Sequence, residues 1–467
     1  MGPLTIIRGG TIVADYGVFR AGIAIRDGRI VAIAEDDSAL PPADEVVEAR
    51  GRLILPGGID PHCHFEEPGA TEREDFGTGT MGAAAGGITT CIEHPLTLPP
   101  TITAALLLEK RGLAEAKAVV DFGLYGGMVP DSISQIPAMH AAGAMGFKAF
   151  LPPSDPSYPP VDDATFFEGL RCCAALGALT LVHAENGSLL VSLTDAMQAA
   201  GRKDPRAYLE SRPPFTELEA VGRAAILAQA AGARLQIVHL TIAEGAELLR
   251  RHKAAGQPLS IETCPQYLML DEDDLIRQGP WAKCAPPLRS RANVERLWGY
   301  VLDGTIDCLV SDHAPYCLDE KQAGEQDIWA APNGLQVIQV MLPVVMDEAL
   351  NRRGMRPEAF ARFASTNAAR ILGLYPRKGT ILPGSDADLI IYDPDAEWHV
   401  DPERLFSKHK WTPFAGRRVR GQVVRTLVRG STAYLDGAIV APPGSGRFLP
   451  GPGAAGAAIA ERGADGR

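Results

Sequence analysis

The feature that most constrains this chain is an alternation that begins at Leu53. Short apolar runs rich in β-branched residues are separated by longer stretches with helical spacing of apolar positions. The runs are LILPGGID, ITTCIEHP, AVVDFGLYG, MGFKAFL, LTLVHAE, LQIVHLT, LSIETCP and TIDCLVSD, starting at Leu53, Ile88, Ala118, Met145, Leu179, Leu235, Leu259 and Thr305. Between them lie segments such as ATFFEGLRCCAALG and ANVERLWGYVLDG, closed by the glycine expected just past a helix end. Eight strand–helix units predict an α/β fold, a (β/α)8 barrel over residues 53–374. In such a barrel the reactive side chains stand at the carboxyl ends of the strands.

Residues 1–52 read as short strands and turns, and a similar β-rich pattern returns over 375–441. The two pieces are expected to build one small β-sandwich. From 442 to 467 the chain is rich in Gly, Ala and Pro, and is expected to be a tail that is mobile or docks on a neighbour.

A formal net charge of -12 argues against nucleic acid, which needs clustered Lys and Arg to displace counterions. No stretch approaches the ~20 apolar residues of a membrane helix, and the first residues lack a charged segment followed by a long apolar run. A cytoplasmic enzyme with a small-molecule partner is expected. The eight cysteines contain no CxxC pair and read as reduced thiols.

The polar residues that end the runs carry the chemistry. Asp60-Pro61-His62-Cys63-His64 puts two imidazoles two residues apart, on one side of a strand. His183 ends the fifth run, His239 the sixth and Asp312 the eighth, while Lys148 lies in the fourth. Four imidazoles and a carboxylate exceed the three protein ligands of a mononuclear catalytic zinc, so two divalent ions are the natural reading. A protonated Lys148 beside cations would be repelled. It must be neutral, engaged elsewhere or converted to an anion.

The segments PGGIDPHCHFEEPG, AAAGGITT, GFKAF, VHAEN, ETCPQYL, AKCAPPLR and SDHAP, in this order, resemble the cyclic amidohydrolases: hydantoinases, allantoinases, dihydropyrimidinases and dihydroorotases. The resemblance extends through KGTILPGSDADLIIYDPD and HKWTPFAGRRVRG. It implies that Lys148 is carboxylated by carbon dioxide to an N6-carboxylysine bridging two ions, zinc or alternatively manganese, cobalt or nickel. It further implies that His62, His64 and Asp312 hold one ion, that His183 and His239 hold the other, and that Asp312 relays the proton from water to the ring nitrogen. A homo-oligomer, tetramer or dimer, is expected on the same ground.

Departures from the family pattern bear on the substrate. Dihydroorotases carry an arginine where this chain has Glu66, and a carboxylate there repels dihydroorotate. Gln266 in CPQY and Asn333 in PNG are similar to hydantoinases, which implies that Asn333 and backbone groups around Pro265 bind the ureide edge of the ring. The position five residues after Lys148, a tyrosine that stabilises the oxyanion in many relatives, is Pro153, leaving Tyr158 as the candidate donor. His94, where relatives are usually apolar, is expected to wall the pocket or to stand behind the metal ligands, with His313 and Arg289 supporting local structure. A 5-substituted hydantoin is the leading substrate, allantoin the alternative, and dihydroorotate and dihydropyrimidines the less favoured rings. The six intact ligand positions oppose a non-catalytic scaffold, and Lys148 opposes a mononuclear deaminase.

Overall fold

The computed structural model describes residues 2–36 and 39–454. Eight short parallel strands form its centre: β1 (Gly58–Cys63), β2 (Ile88–Glu93), β3 (Asp121–Leu124), β4 (Phe147–Phe150), β5 (Leu179–His183), β6 (Arg234–Ile237), β7 (Leu259–Thr263) and β8 (Cys308–Leu309). β1, β2 and β3 pair in order, Gly126–Gly127 just after β3 pairs with β4, and pairing continues without a break to β8. The ring closes where Cys63 bridges His313 and the Asp312 N–H reaches His62 O at 2.9 Å. The strands are buried almost throughout, as a sheet covered on both faces requires.

Helices return the chain between strands, and local chemistry sets their ends. The helix Asp163–Leu176 starts where the Asp162 carboxylate accepts the Thr165 N–H at 2.8 Å, and stops at Gly177, whose φ of 65° suits a residue without Cβ.

The first of the eight apolar runs divides. Leu53–Pro56 leaves the barrel to pair with Thr11–Ala14 and Leu389–His399, and only Gly58–Cys63 enters the ring. A seven-stranded sheet thereby takes strands from both ends of the chain, beside a four-stranded sheet from residues 5–48. Ile7, Ile12, Ile23 and Ile25 pack with Ile54, Leu389 and Leu427 in a separate apolar cluster. Lys378, 1% exposed, ties this part to the barrel through Asp121 at 2.7 Å and Asp388 at 2.5 Å.

The expectation of a tail that is mobile or docked on a neighbour is corrected for the part described. Residues 442–454 lie on their own barrel: the Gly446 N–H donates to Ala118 O, Phe448 bridges Phe122, and Leu449 is buried with its N–H on Phe122 O. Residues 455–467 of that segment lie outside the described residues. Among the described residues no helix is long and apolar enough to cross a membrane.

Candidate metal centre and active site

At the carboxyl end of the barrel His62 Nε2 and His64 Nε2 stand 3.2 and 3.5 Å from the same oxygen of Asp312. Donors at ~2.1 Å from one ion and tetrahedral to each other are about 3.4 Å apart, which both imidazole–carboxylate separations match, and ring nitrogens of His62, His64 and His94 also lie within 4.8 Å of one another. His183 and His239 face each other edge-on with ring centroids 4.5 Å apart. Lys148 is fully buried, and its Nζ has no partner among the described residues, nor has His239 Nδ1. Unpaired buried donors and acceptors are costly, and their concentration here fits a centre built to hold metal.

Carboxylates fix which nitrogen each imidazole presents. Glu262, at the end of β7, binds His62 Nδ1, accepts the His239 N–H at 3.2 Å and is held by Gln236. Glu185, two residues past the end of β5, binds His183 Nε2 at 2.8 Å and takes Arg212 Nη1 at 2.6 Å. His62 thus turns Nε2, and His183 Nδ1, toward the cavity, the arrangement by which outer carboxylates orient metal-bound histidines. Asp60 accepts from Ser311 N and Oγ and from His62 N, locking β1 to the loop that carries Asp312.

Burial sets the protonation states. It lowers the pKa of all four histidines, keeping them neutral as ligands must be. Burial also pulls Lys148 down to about 8, against Glu262 and Asp312, so a free amine is accessible near neutral pH. Asp312 is the opposite case: burial would raise it, but His62 and His64 hold it below its usual range.

Backbone strain concentrates at the same place. Glu66, His239 and Asp312 have φ of 60°, 40° and 48°, a left-handed conformation uncommon for residues with a Cβ. Two are expected ligands and the third faces the cavity.

That cavity measures about 360 Å³ and is lined by all six expected ligands together with Glu66, Arg73, Leu96, Phe150, Arg212, Tyr316 and Asn333. Glu66 is nearly buried, with burial raising its pKa to about 7 against the pull of Arg73, whose Nη1 lies 3.2 Å away. Asn333 reaches the cavity with Oδ1 2.8 Å from the Tyr208 hydroxyl, which also lies 2.7 Å from Cys284 O.

One expected substrate contact is corrected. Tyr158 is fully buried, donates its hydroxyl to Lys148 O at 2.6 Å and accepts the Met128 N–H at 3.1 Å, so it does not line the cavity. Pro265 heads the helix Pro265–Met269 and is buried. His94 stacks on His62 with centroids 3.7 Å apart but is also absent from the lining. His313 accepts the Val337 N–H at Nδ1, and Arg289 binds Glu217, Thr241 and Arg212 O. Glu185, Glu262, Asp60 and Arg212 were not singled out from the sequence, although acids at or just past the strand ends in VHAE and IETC were a usable signal.

A barrel whose strand ends gather imidazoles, a carboxylate and an unpaired lysine has the build of a metal-dependent hydrolase. The Amidohydrolase family model matches residues 53–433. Over 447 residues the chain is 43% identical to an allantoinase of Rubrobacter xylanophilus, covering 95% of this chain and 96% of that one. It is 38% identical to an L-hydantoinase of Paenarthrobacter aurescens over 446 residues, 95% and 97% of the two chains. The solved L-hydantoinase (dihydropyrimidinase) from Arthrobacter aurescens superposes with a TM-score of 0.94 at 38% identity, covering 96% of this chain and all of the other. The chain belongs to the amidohydrolase family.

Proposed function

We propose that this chain is a binuclear-metal hydrolase that opens a five-membered ureide ring, converting a 5-substituted hydantoin to an N-carbamoyl amino acid. The observation that carries the reading is the convergence of His62 and His64 on one oxygen of Asp312, with the unpartnered amine of Lys148 lining the same cavity. His62, His64 and Asp312 would hold one ion, and His183 and His239 the other. Lys148, as a carbamate, would span both. Imidazole and carboxylate ligands suit zinc, and equally manganese, cobalt or nickel. Two such ions, when bound, make a water acidic and polarise a carbonyl.

The residues of the chain supply the rest. Glu262 and Glu185 hold His62 and His183 in the tautomers that ligation needs. Asp312 is the proton carrier: ionised below the usual carboxylate range, it accepts the proton of the attacking water and delivers it to the ring nitrogen as the C–N bond breaks. Asn333 binds the ureide edge, and Leu96 and Phe150 offer an apolar wall to a ring substituent. Arg73, bound to Glu66 and Glu320, is left with no free guanidinium nitrogen for an anionic one.

Allantoin is the second reading. The 43% identity to an allantoinase favours it, as does Glu66, a carboxylate on the cavity able to accept N–H groups from a ureido substituent. We also read the protein as a cytoplasmic homo-oligomer, in keeping with its eight unpaired cysteines. Light scattering measures the assembly.

The deciding experiment is ring opening by zinc- or manganese-loaded protein on hydantoin, 5-substituted hydantoins, allantoin, dihydrouracil and dihydroorotate in parallel. Preference for substituted hydantoins supports the first reading and preference for allantoin the second. Dominant turnover of dihydroorotate would contradict the role given to Glu66.

A further inference from the structure

Opening a ureide ring places negative charge at two points. The water oxygen bonds to the attacked carbonyl carbon. The electron pair of the breaking C–N bond then moves onto nitrogen, and to the extent that cleavage runs ahead of the proton delivered by Asp312 it is shared with the neighbouring ureide carbonyl oxygen. The second charge needs a donor at the far side of the ring from the attacked carbonyl, and Tyr158 is committed to Lys148 O and the Met128 N–H.

Apart from the expected ligands, the cationic side chains on the cavity among the described residues are Arg73 and Arg212. Arg73 is spent: Nε and Nη2 bind Glu320, and Nη1 binds Glu66. Arg212 is not. Among the described residues only its Nη1 is hydrogen-bonded, to Glu185, and the side chain remains 14% exposed where it lines the cavity. Arg289 donates to Arg212 O at 2.6 Å, and the guanidinium lies 5.5 Å from the centroid of the Tyr208 ring, whose hydroxyl meets Asn333. Glu185 Oε2 is shared between Arg212 Nη1 and His183 Nε2, so the guanidinium stands next to the imidazole of the second ion.

We propose that Arg212 is a catalytic residue which, with Asn333, holds the carbonyl oxygen of the leaving ureide and carries the negative charge that reaches it when the ring C–N bond breaks. The assignment rests on the ring-opening function proposed above. A guanidinium is always charged and planar, and a preorganised donor aimed at developing charge acts without reorganisation during the reaction.

The test uses metal-loaded wild type, Arg212→Met and Arg212→Lys, with bound metal counted per subunit and kcat and KM measured on hydantoin and 2-thiohydantoin. A thiocarbonyl sulfur accepts hydrogen bonds poorly. Arg212→Met is expected to keep both ions and lose about 10²–10³-fold in kcat. Its preference for hydantoin over 2-thiohydantoin should fall at least about tenfold relative to wild type. Arg212→Lys should recover part of kcat, because it keeps the charge and loses the planar fork. If added metal restores the Met variant to wild-type rate, Arg212 acts only through Glu185 on His183 and the proposal is overturned. An unchanged oxygen-to-sulfur preference in either variant overturns it as well, so a Met variant that fails to fold still leaves the Lys variant decisive. A wild type that opens neither ring, nor any of the 5-substituted hydantoins or allantoin, overturns the ring-opening reading and this one with it. One that opens both while the variants leave the preference unchanged overturns this one alone.

Discussion

The hydroxyl of Tyr158 lies 2.6 Å from the backbone oxygen of Lys148, so this tyrosine supports the strand that carries the lysine. Tyr158→Phe should therefore keep kcat within about threefold of wild type, while losing roughly 1 kcal/mol of stability because Lys148 O and the Met128 N–H each lose a partner. Steady-state kinetics with a parallel thermal melt measures both. A loss of kcat of a hundredfold at unchanged melting temperature would restore the tyrosine to the chemistry.

Glu262 touches His62, His239 N and Gln236 at once. Glu262→Ala should weaken metal binding by about 10–100-fold, because the imidazole of His62 loses the partner that sets its tautomer. Competition with a chelator, followed by counting retained metal, reads this directly. Affinity equal to wild type would mean that packing alone orients His62.

Lys148→Ala should abolish the bridging position. The expected result is at most about one ion per subunit and a fall in kcat of at least ~10³-fold, since the second ion contributes several kcal/mol of charge stabilisation. Metal analysis and turnover are measured on the same sample. Full activity with two ions in this variant would rule out a bridging carbamate.

Asp75 caps the helix Phe76–Ala85 by accepting the Thr78 N–H at 3.0 Å, and it meets Lys408 at 2.9 Å and Lys117 at 3.6 Å. Partial burial works to raise its pKa, but the Lys408, Thr78 and Lys117 contacts outweigh it and leave the group below its ordinary 3.8. A depressed carboxylate binds fewer protons folded than unfolded, so its contribution is present above pH 3.8 and is lost as the pH falls through the lowered value. Asp75→Ala should cost about 1 kcal/mol at pH 7, with the difference shrinking below about pH 4. Denaturant melts at pH 7, 5 and 3.5 follow it. A difference independent of pH would assign the loss to packing.

The sequence by itself determined the barrel, because eight β-branched runs alternating with amphipathic segments leave few ways to bury both kinds of surface. It also singled out the residues gathered at the barrel mouth. His62, His64, His183, His239, Lys148 and Asp312 fall in or near the ends of runs, and the ends of parallel barrel strands share one face. What it did not determine depends on contacts between residues far apart in the chain. That LILP belongs to the outer sheet follows from pairing with Leu389–His399, more than 300 residues away. Tyr158 was a loop aromatic in the sequence, and only the fold turned its hydroxyl to Lys148 O. Glu262, 200 residues from His62, and Arg212, 27 from Glu185, acquire their roles from side chains meeting across strands and loops. Periodicity records which face of an element is buried. Which hydrogen-bond partner a buried polar group finds is decided by tertiary packing, and it is there that the orientation of the expected metal ligands and the free edge of Arg212 are set.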